Sequence, residues 1–377
     1  MKPRVLMVGR TRYRLPLGDS LRRKFDALSD RLELEVLAAA PRGSPGGDST
    51  FRLQRGTPLP LLDGPRFYCT LPARIARTLR RSHPDAIIAQ SPYEGLAALA
   101  GRWLARSEAA LVVEIHGDWR TWSRLYGSRS RAIVAPLADR VALVAIRKAD
   151  AVRTLSAFTS RLVRATGVEP TATFTTYTEL TAFSEPALGP LPERPIALFV
   201  GVLERYKNVH LIADAWRIAA PQVPEAVLRI VGDGRHRDVV ATLQAELPDQ
   251  VVWERRLETP QVVTALDDAW LLLLASRSEG TPRVVLEALC RGRAVVGADA
   301  GGIPDVVWDE ETGLLVDPGT PAAIAAALVR LLSDRTTAER MGAAGHLRSA
   351  EWTYTAGDYA DRVAELVARA VATKRRR

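Results

Sequence analysis

Ser278-Glu279-Gly280-Thr281-Pro282-Arg283-Val284-Val285-Leu286-Glu287-Ala288 is the stretch on which the reading of this chain turns. It follows an apolar run, Trp270 to Ala275, that reads as a buried parallel strand. Ser276 to Glu279 is then a loop, Thr281 is placed to cap a helix, and Pro282 suits its first position. Arg283 to Arg291 continues the helix, with Val284, Leu286, Ala288 and Leu289 available for packing. The free N–H groups at its start make a ready anion site. Glu279 stands on the loop above that site and Glu287 more than a turn inside the helix. The alternative reading is a capped amphipathic helix carrying two solvated acids.

Outward from this turn, apolar runs alternate with helical patterns, which predicts βα units and parallel sheets. The first half offers strands at Arg4–Val8, Leu32–Ala38, Ala86–Ala89, Leu111–Ile115 and Ala151–Leu155. The second offers Ile196–Val200, Val227–Val231, Val251–Trp253, Leu271–Leu274, Ala294–Val296 and Leu314–Val316. Between them Phe183 to Pro192 holds three prolines and a glycine, which neither element tolerates, so it reads as a linker. The expectation is an α/β chain of two Rossmann-like domains facing each other across a cleft. Ligands of such domains sit at the carboxyl ends of the strands. The boundaries expected are 1–185, 193–352 and a terminal segment 353–377, whose helix, roughly Thr355 to Lys374, packs back towards the first domain.

With 377 residues, 47% of them hydrophobic, the chain is long enough for two cores. Two cysteines, Cys69 and Cys290, build no disulfide framework and fit a reducing cytosol. The apolar run near Met1 is too short for a signal peptide, and no stretch reaches the ~20 apolar residues of a spanning helix. A cytoplasmic protein is expected, or one lying on the inner face of the membrane. Charge is uneven: residues 1–190 carry a net +12 and residues 191–377 a net −3. The first half is therefore the one suited to anions such as lipid headgroups or phosphorylated acceptors.

Four further segments lie at or beside predicted strands in the second half. Gly201-Val202-Leu203-Glu204-Arg205-Tyr206-Lys207-Asn208 offers two cations and a glycine that permits close backbone approach. Val231-Gly232-Asp233-Gly234 is a tight glycine loop. Ala300-Gly301-Gly302-Ile303-Pro304-Asp305 and Thr312-Gly313-Leu314-Leu315-Val316-Asp317-Pro318 read first as loops that pack the sheet. Taken in order with the Glu279–Glu287 turn, these segments resemble the retaining GT-B glycosyltransferases of family four, the glycosyl transferases group 1 type. The likeness covers about residues 196–355.

The resemblance implies a nucleotide-sugar donor whose diphosphate sits on the helix start. Gly280, Thr281, Pro282, Arg283 and Val284 would surround the diphosphate, with Glu279 on the sugar hydroxyls and Glu287 on the ribose. Gly201, Gly232 and Gly234 would line the donor, and Arg205 and Lys207 would neutralise the leaving diphosphate. Val202 stands where relatives carry an arginine, so that role passes to Arg205. The family also implies retention of anomeric configuration, with no cofactor and no essential metal. No Asp-x-Asp motif and no His/Cys cluster of ligand spacing stands against this.

In the first half, Leu111 to Asp118 puts His116 at the carboxyl end of a strand. The resemblance places His116 beside the transferred sugar, with Asp118 orienting it or meeting the acceptor. Gly9 is expected in a loop that approaches the donor, followed by Arg10, Arg12 and Arg14, which suit an anionic acceptor. Relatives have paired glycines there, and an Asn-Gly turn where this chain has Tyr177 to Phe183. A basic stripe on a helix over Pro72 to Arg81, and the mixture Trp119, Trp122, Arg124 and Tyr126, suggest peripheral contact with an anionic membrane. The acceptor is expected to be a hydroxyl, lipid-linked or anionic, and no nucleic acid is expected. Two alternatives stay open: a sugar-nucleotide epimerase of the same plan, and a basic membrane- or nucleic-acid-binding protein without activity.

Overall fold

The computed structural model describes residues 2–41, 43–44, 47–57, 60–120 and 129–376. The chain divides into two compact units, one made of Met1–Tyr177 with Tyr354–Arg377, the other of Thr178–Thr353.

In the first unit the elements run β1 (Arg4–Arg12), α1 (Asp19–Arg31), β2 (Glu33–Ala39), β3 (Phe51–Gln54), α2 (Pro60–Ser82), β4 (Ala86–Ala89) and α3 (Pro92–Ala105). They continue through β5 (Ala110–Ile115), α4 (Arg129–Lys148), β6 (Ala151–Thr154), α5 (Ala157–Arg164) and β7 (Ala172–Thr173). The seven strands form one parallel sheet in the order β3-β2-β1-β4-β5-β6-β7. Strand alternation divides its apolar residues between two faces. Val5, Met7, Ile88 and Val112 meet Phe25 and Leu28 of α1 on one face. Leu6, Val8, Ile87 and Leu111 meet Leu71, Ile75 and Leu79 of α2 on the other.

The second unit opens with a short helix α6 (Thr181–Ser184), then β8 (Ile196–Val200), α7 (Val209–Ala219), β9 (Val227–Val231), α8 (Arg237–Glu246), β10 (Val251–Glu254) and α9 (Thr259–Asp267). There follow β11 (Leu271–Leu274), α10 (Arg283–Cys290), β12 (Ala294–Ala298), β13 (Gly313–Val316), α11 (Pro321–Ser333) and α12 (Arg335–Ser349). Its six strands are parallel in the order β10-β9-β8-β11-β12-β13, the doubly wound arrangement of dinucleotide-binding sheets. Phe199, Leu228 and Leu273 pack on α7 and α11 through Trp216 and Leu328. Leu198, Leu272 and Val295 pack on α9 and α10 through Leu266 and Val285.

Helix α13 (Ala356–Arg376) belongs to the first unit. Its buried stripe of Tyr359, Val363, Leu366 and Val367 joins the same core as α1, and Arg31 Nε donates to Asp361 Oδ1 at 2.8 Å. Residues 183–192 are fastened to the second unit. The Arg291 guanidinium donates to the carbonyls of Phe183, Pro186 and Ala187, and Trp270 Nε1 to that of Pro192.

Several local expectations change. β3 and β7 are strands that their short, weakly patterned sequences did not signal. β1 runs on to Arg12, with a register shift between Val8 and Arg12. α2 begins at Pro60 rather than Pro72, because the four-residue spacing of Phe67, Leu71, Ile75 and Leu79 keeps one buried face running through the proline.

Candidate active site

The second sheet changes its winding direction between β8 and β11, the point where such sheets bind ligands. Both loops at that point carry residues named from the sequence. Beyond β8, Arg205–Lys207 make one 3-10 turn, closed by Asn208 with φ 55°. Asn208 is fully buried; its Nδ2 donates to Ala275 O at 2.7 Å and Pro318 O at 2.9 Å, while Oδ1 accepts from Arg277 Nε at 2.6 Å. Arg277 N in turn donates to Tyr206 O. These bonds fasten the β8 loop to the β11 loop. Across the joint Lys207 Nζ donates to Glu279 Oε1 at 2.6 Å, with 11% and 15% of the two side chains exposed. Arg205 is exposed and has no side-chain partner among the described residues.

The loop bearing Glu279 is backed by the two glycines that follow β12. Gly302 N donates to Glu279 O at 2.9 Å, and a Cβ on Gly302 would stand 1.7 Å from Gly280 O. No side chain fits there. Gly232 and Gly234, after β9, press likewise on the carbonyls of Gly201 and Leu203.

Helix α10 starts later than its sequence implied. Pro282, with ψ 103°, is the N-cap, and Thr281 does not cap: its Oγ1 is buried without a hydrogen-bond partner. The extended Pro282 takes the boundary position and offers its carbonyl to Val285 N and Leu286 N. The amides of Arg283 and Val284 lie in the first turn, where a helix supplies no acceptor of its own. Neither acid of the pair is solvated, against the alternative reading of the turn. Glu287 is 6% exposed and accepts from Arg283 Nε at 2.6 Å. Burial holds its pKa above the ordinary carboxylate value, with the Arg283 charge pulling the other way.

In the first unit His116 follows β5. Its Nε2 lies 2.9 Å from Glu114 Oε2, and the other oxygen of Glu114 accepts from Arg153 Nη1 at 2.5 Å. Arg153 is wholly buried, donates to Phe174 O and Thr175 O, and lies 4.0 Å from the Phe174 ring centre. Lys24 of α1 is buried close by, 5.1 Å from the Tyr359 ring. Burial alone would raise the pKa of Glu114; the charges of Arg153, His116 and Lys24 outweigh it and hold the carboxyl at about 2. Burial lowers the pKa of Lys24.

Glu114, then, is the carboxylate that orients His116. Asp118 accepts from the backbone N and guanidinium of Arg120. Gly9 lies inside β1, where a Cβ would strike the Gln90 side chain from the end of β4. The arginines beyond it are not a bare loop. Arg10 lies 6.0 Å from the Tyr68 ring centre, and Arg12 Nη2 is 3.8 Å from Asp63 Oδ2. Trp119 is 6% exposed and sits in the core, so it is no membrane anchor; Trp122, Arg124 and Tyr126 lie outside the described residues. Much of the α2 stripe is also turned to internal use. Arg74 donates to Gln54 and Arg52 O, Arg80 to Leu104 O, and Arg81 to Glu35.

Gly201, Arg205, Lys207, Gly232, Gly234, Glu279 and the start of α10 thus share the carboxyl edge of the second sheet, while His116 and Asp118 follow a strand of the first. Glu114, Arg153, Asn208 and Gln90 escaped the sequence reading. One signal was present: Glu114 is a lone charge within the apolar strand Ala110–Ile115, where a buried carboxylate needs a cation. Among the described residues no three His, Cys, Asp or Glu side chains gather as a metal-binding group, and no helix is long and apolar enough to cross a membrane.

Residues 183–348 match the family model described as glycosyl transferases group 1, and residues 19–176 that of the glycosyl transferase 4-like domain. The chain is 36% identical over 183 residues to alpha-maltose-1-phosphate synthase of Mycobacterium tuberculosis, covering 45% of this chain and 47% of that protein. The curated relatives that head the comparison are each matched over less than half their own length. Among solved structures, sucrose-phosphate synthase of Thermosynechococcus elongatus has a TM-score of 0.78 at 20% identity, over 97% of this chain and 98% of its own. Anabaena HepE in complex with UDP-glucose has a TM-score of 0.68 at 18% identity, over 97% and 99%. Both likenesses are of fold, GT-B.

Proposed function

The chain belongs to the glycosyl transferases group 1 family, and from that premise we propose that it moves a hexose-type sugar from a nucleotide-sugar donor to a hydroxyl acceptor. The observation that carries this reading is the Lys207–Glu279 pair beside the α10 start, with Glu287 buried on the helix behind. In it the donor diphosphate lies on the amides of Arg283 and Val284, drawn by the positive end of the helix. Lys207 and Arg205 offset the charge that grows on the diphosphate as it leaves. Glu279 accepts from sugar hydroxyls and Glu287 from the ribose.

We read the transfer as retaining and independent of a metal ion. These cations and the helix start supply the neutralisation that a metal would otherwise give. The leaving diphosphate helps deprotonate the incoming hydroxyl, which attacks from the face it departs. The acceptor belongs to the first unit, where His116, held on Glu114, is poised to hydrogen-bond a hydroxyl. The net +12 of residues 1–190 favours an acceptor that is anionic or lipid-linked. The HepE structure holds UDP-glucose, so uridine donors are the first to test.

A thermal-shift screen of uridine, guanosine and adenosine diphosphates and their sugar conjugates tests the donor site. A ligand at a hundredfold its dissociation constant adds about 2.7 kcal/mol of stability. One base series should shift the melt, and the shift should fall to about half in Glu287→Ala; no response to any series would overturn the donor assignment. Product formed only when an acceptor is present separates a transferase from an epimerase.

A further inference from the structure

At the edge of the first sheet opposite His116, where β4 and β5 begin, a cavity of about 620 Å³ opens beside the ends of α2, α3 and α13. Four cationic side chains line it, Arg80, Arg106, Lys374 and Arg375, against the carboxylates Asp85 and Glu108. Lys374 is paired with Glu108 at 2.6 Å, and Arg80 donates to Leu104 O. Arg106 and Arg375 are exposed and have no side-chain partner among the described residues. A second cavity of the same volume lies at the starts of β1 and β2, and there the cations are tied down. Lys2 donates to Ser29 O at 2.8 Å and Arg4 to Glu33 at 2.9 Å. Of these two cavities it is the first that holds arginines without side-chain partners among the described residues.

Next to it, on the last turn of α3, Trp103 is 79% exposed and Leu104 41%. An indole and an isobutyl group left in water beside two free arginines make the side-chain mixture of a membrane interface.

We propose that this edge docks on a bilayer carrying anionic phospholipid. A headgroup phosphate sits between Arg106 and Arg375, and Trp103 and Leu104 enter the interfacial layer. Free phosphate would satisfy the arginines equally but would leave the two apolar side chains in water, which decides between the sources. The inference goes beyond the proposed transfer reaction and does not rest on it, because this edge lies away from His116. The six residues of β5 put His116 roughly 20 Å from the docking edge, so docking leaves the carboxyl side of the sheet clear.

The test is sedimentation of the full chain with phosphatidylcholine vesicles, with and without phosphatidylglycerol. The protein should bind the anionic vesicles, release in high salt and ignore the neutral ones. Arg106→Glu/Arg375→Glu and Trp103→Ser/Leu104→Ser should each lower the partition coefficient roughly tenfold or more. All these residues are surface side chains, and the melting temperature with and without nucleotide, measured on the same preparations, reports separately on the fold and on the donor site. No binding by the unaltered chain at low salt, or equal binding by both double variants, would overturn the proposal. So would a melt raised by inorganic phosphate in a protein that ignores anionic vesicles.

Discussion

Lys207 and Glu279 stand 72 residues apart in the chain, yet Lys207 Nζ lies 2.6 Å from Glu279 Oε1 where β8 and β11 diverge. The contact leaves both heads usable. An ammonium has three donors and a carboxylate about four acceptor positions, so each keeps capacity for a ligand while the other fixes its direction. With little of either side chain exposed, most of the ordering cost is met before a donor arrives.

If the pair works as one unit, its losses should not add. Lys207→Ala should lower kcat on the order of 100-fold with donor KM little changed. Glu279→Ala should lower activity as well, and the double variant should be no worse than the poorer single one. Steady-state kinetics on the three purified proteins decide it. Additive losses would mean that the two residues act separately.

Glu287 has a different role and a different signature. Glu287→Ala removes a charged acceptor from the ribose and should raise donor KM roughly tenfold, with kcat held. Glu287→Gln should reveal the cost of burying the acid. A folded-state pKa raised above 4.5 gives stability that is present below that value and lost as pH rises through the folded pKa. The glutamine variant lacks this loss, so its stability relative to the native protein should grow as pH rises from below 4.5 through the folded pKa. A constant difference in denaturant midpoint across that range would refute the assignment.

The second half was legible because its chemistry is local. The strand, loop and helix start around Glu279 are contiguous, and their apolar periods and turn residues lie in one short stretch. What could not be read there was the joint through Asn208, whose partners Ala275 and Pro318 are 67 and 110 residues away. In the first half the functional arrangement is almost wholly long-range. His116 depends on Glu114, which depends on Arg153 from another strand and on Lys24 from α1. Periodicity gave the strands but not which polar residue faces which. Trp119 shows the same limit, since its neighbours in sequence are polar and its neighbours in space are the core.

Gly302 tests whether the loop behind Glu279 is a support or only a spacer. A methyl group there would stand 1.7 Å from Gly280 O, well inside contact distance. Gly302→Ala should therefore displace the Glu279–Gly280 backbone and cost about 1–3 kcal/mol of stability. Activity should fall further than stability explains, because Glu279 moves with the loop. Full activity in the folded alanine variant, assayed well below its melting temperature, would show that the loop position is not critical.

Glu114 carries the sharpest consequence of pH. Its folded pKa of about 2 lies below the ordinary 4.5, so the unfolded chain binds the extra proton between those values. Stability from this group is present above 4.5 and lost as pH falls towards 2, on the order of 3 kcal/mol in all. Glu114→Gln should abolish that slope and destabilise the protein at neutral pH by about 3–5 kcal/mol, since Arg153 and Lys24 would remain as buried, unopposed cations. Adding Lys24→Met to that variant should recover part of the loss by removing one of the two. Urea unfolding of the native, single and double variants at pH 7 and pH 4 separates these terms. If Glu114→Gln keeps the native acid slope, the carboxylate beneath His116 is not the group that titrates in that range.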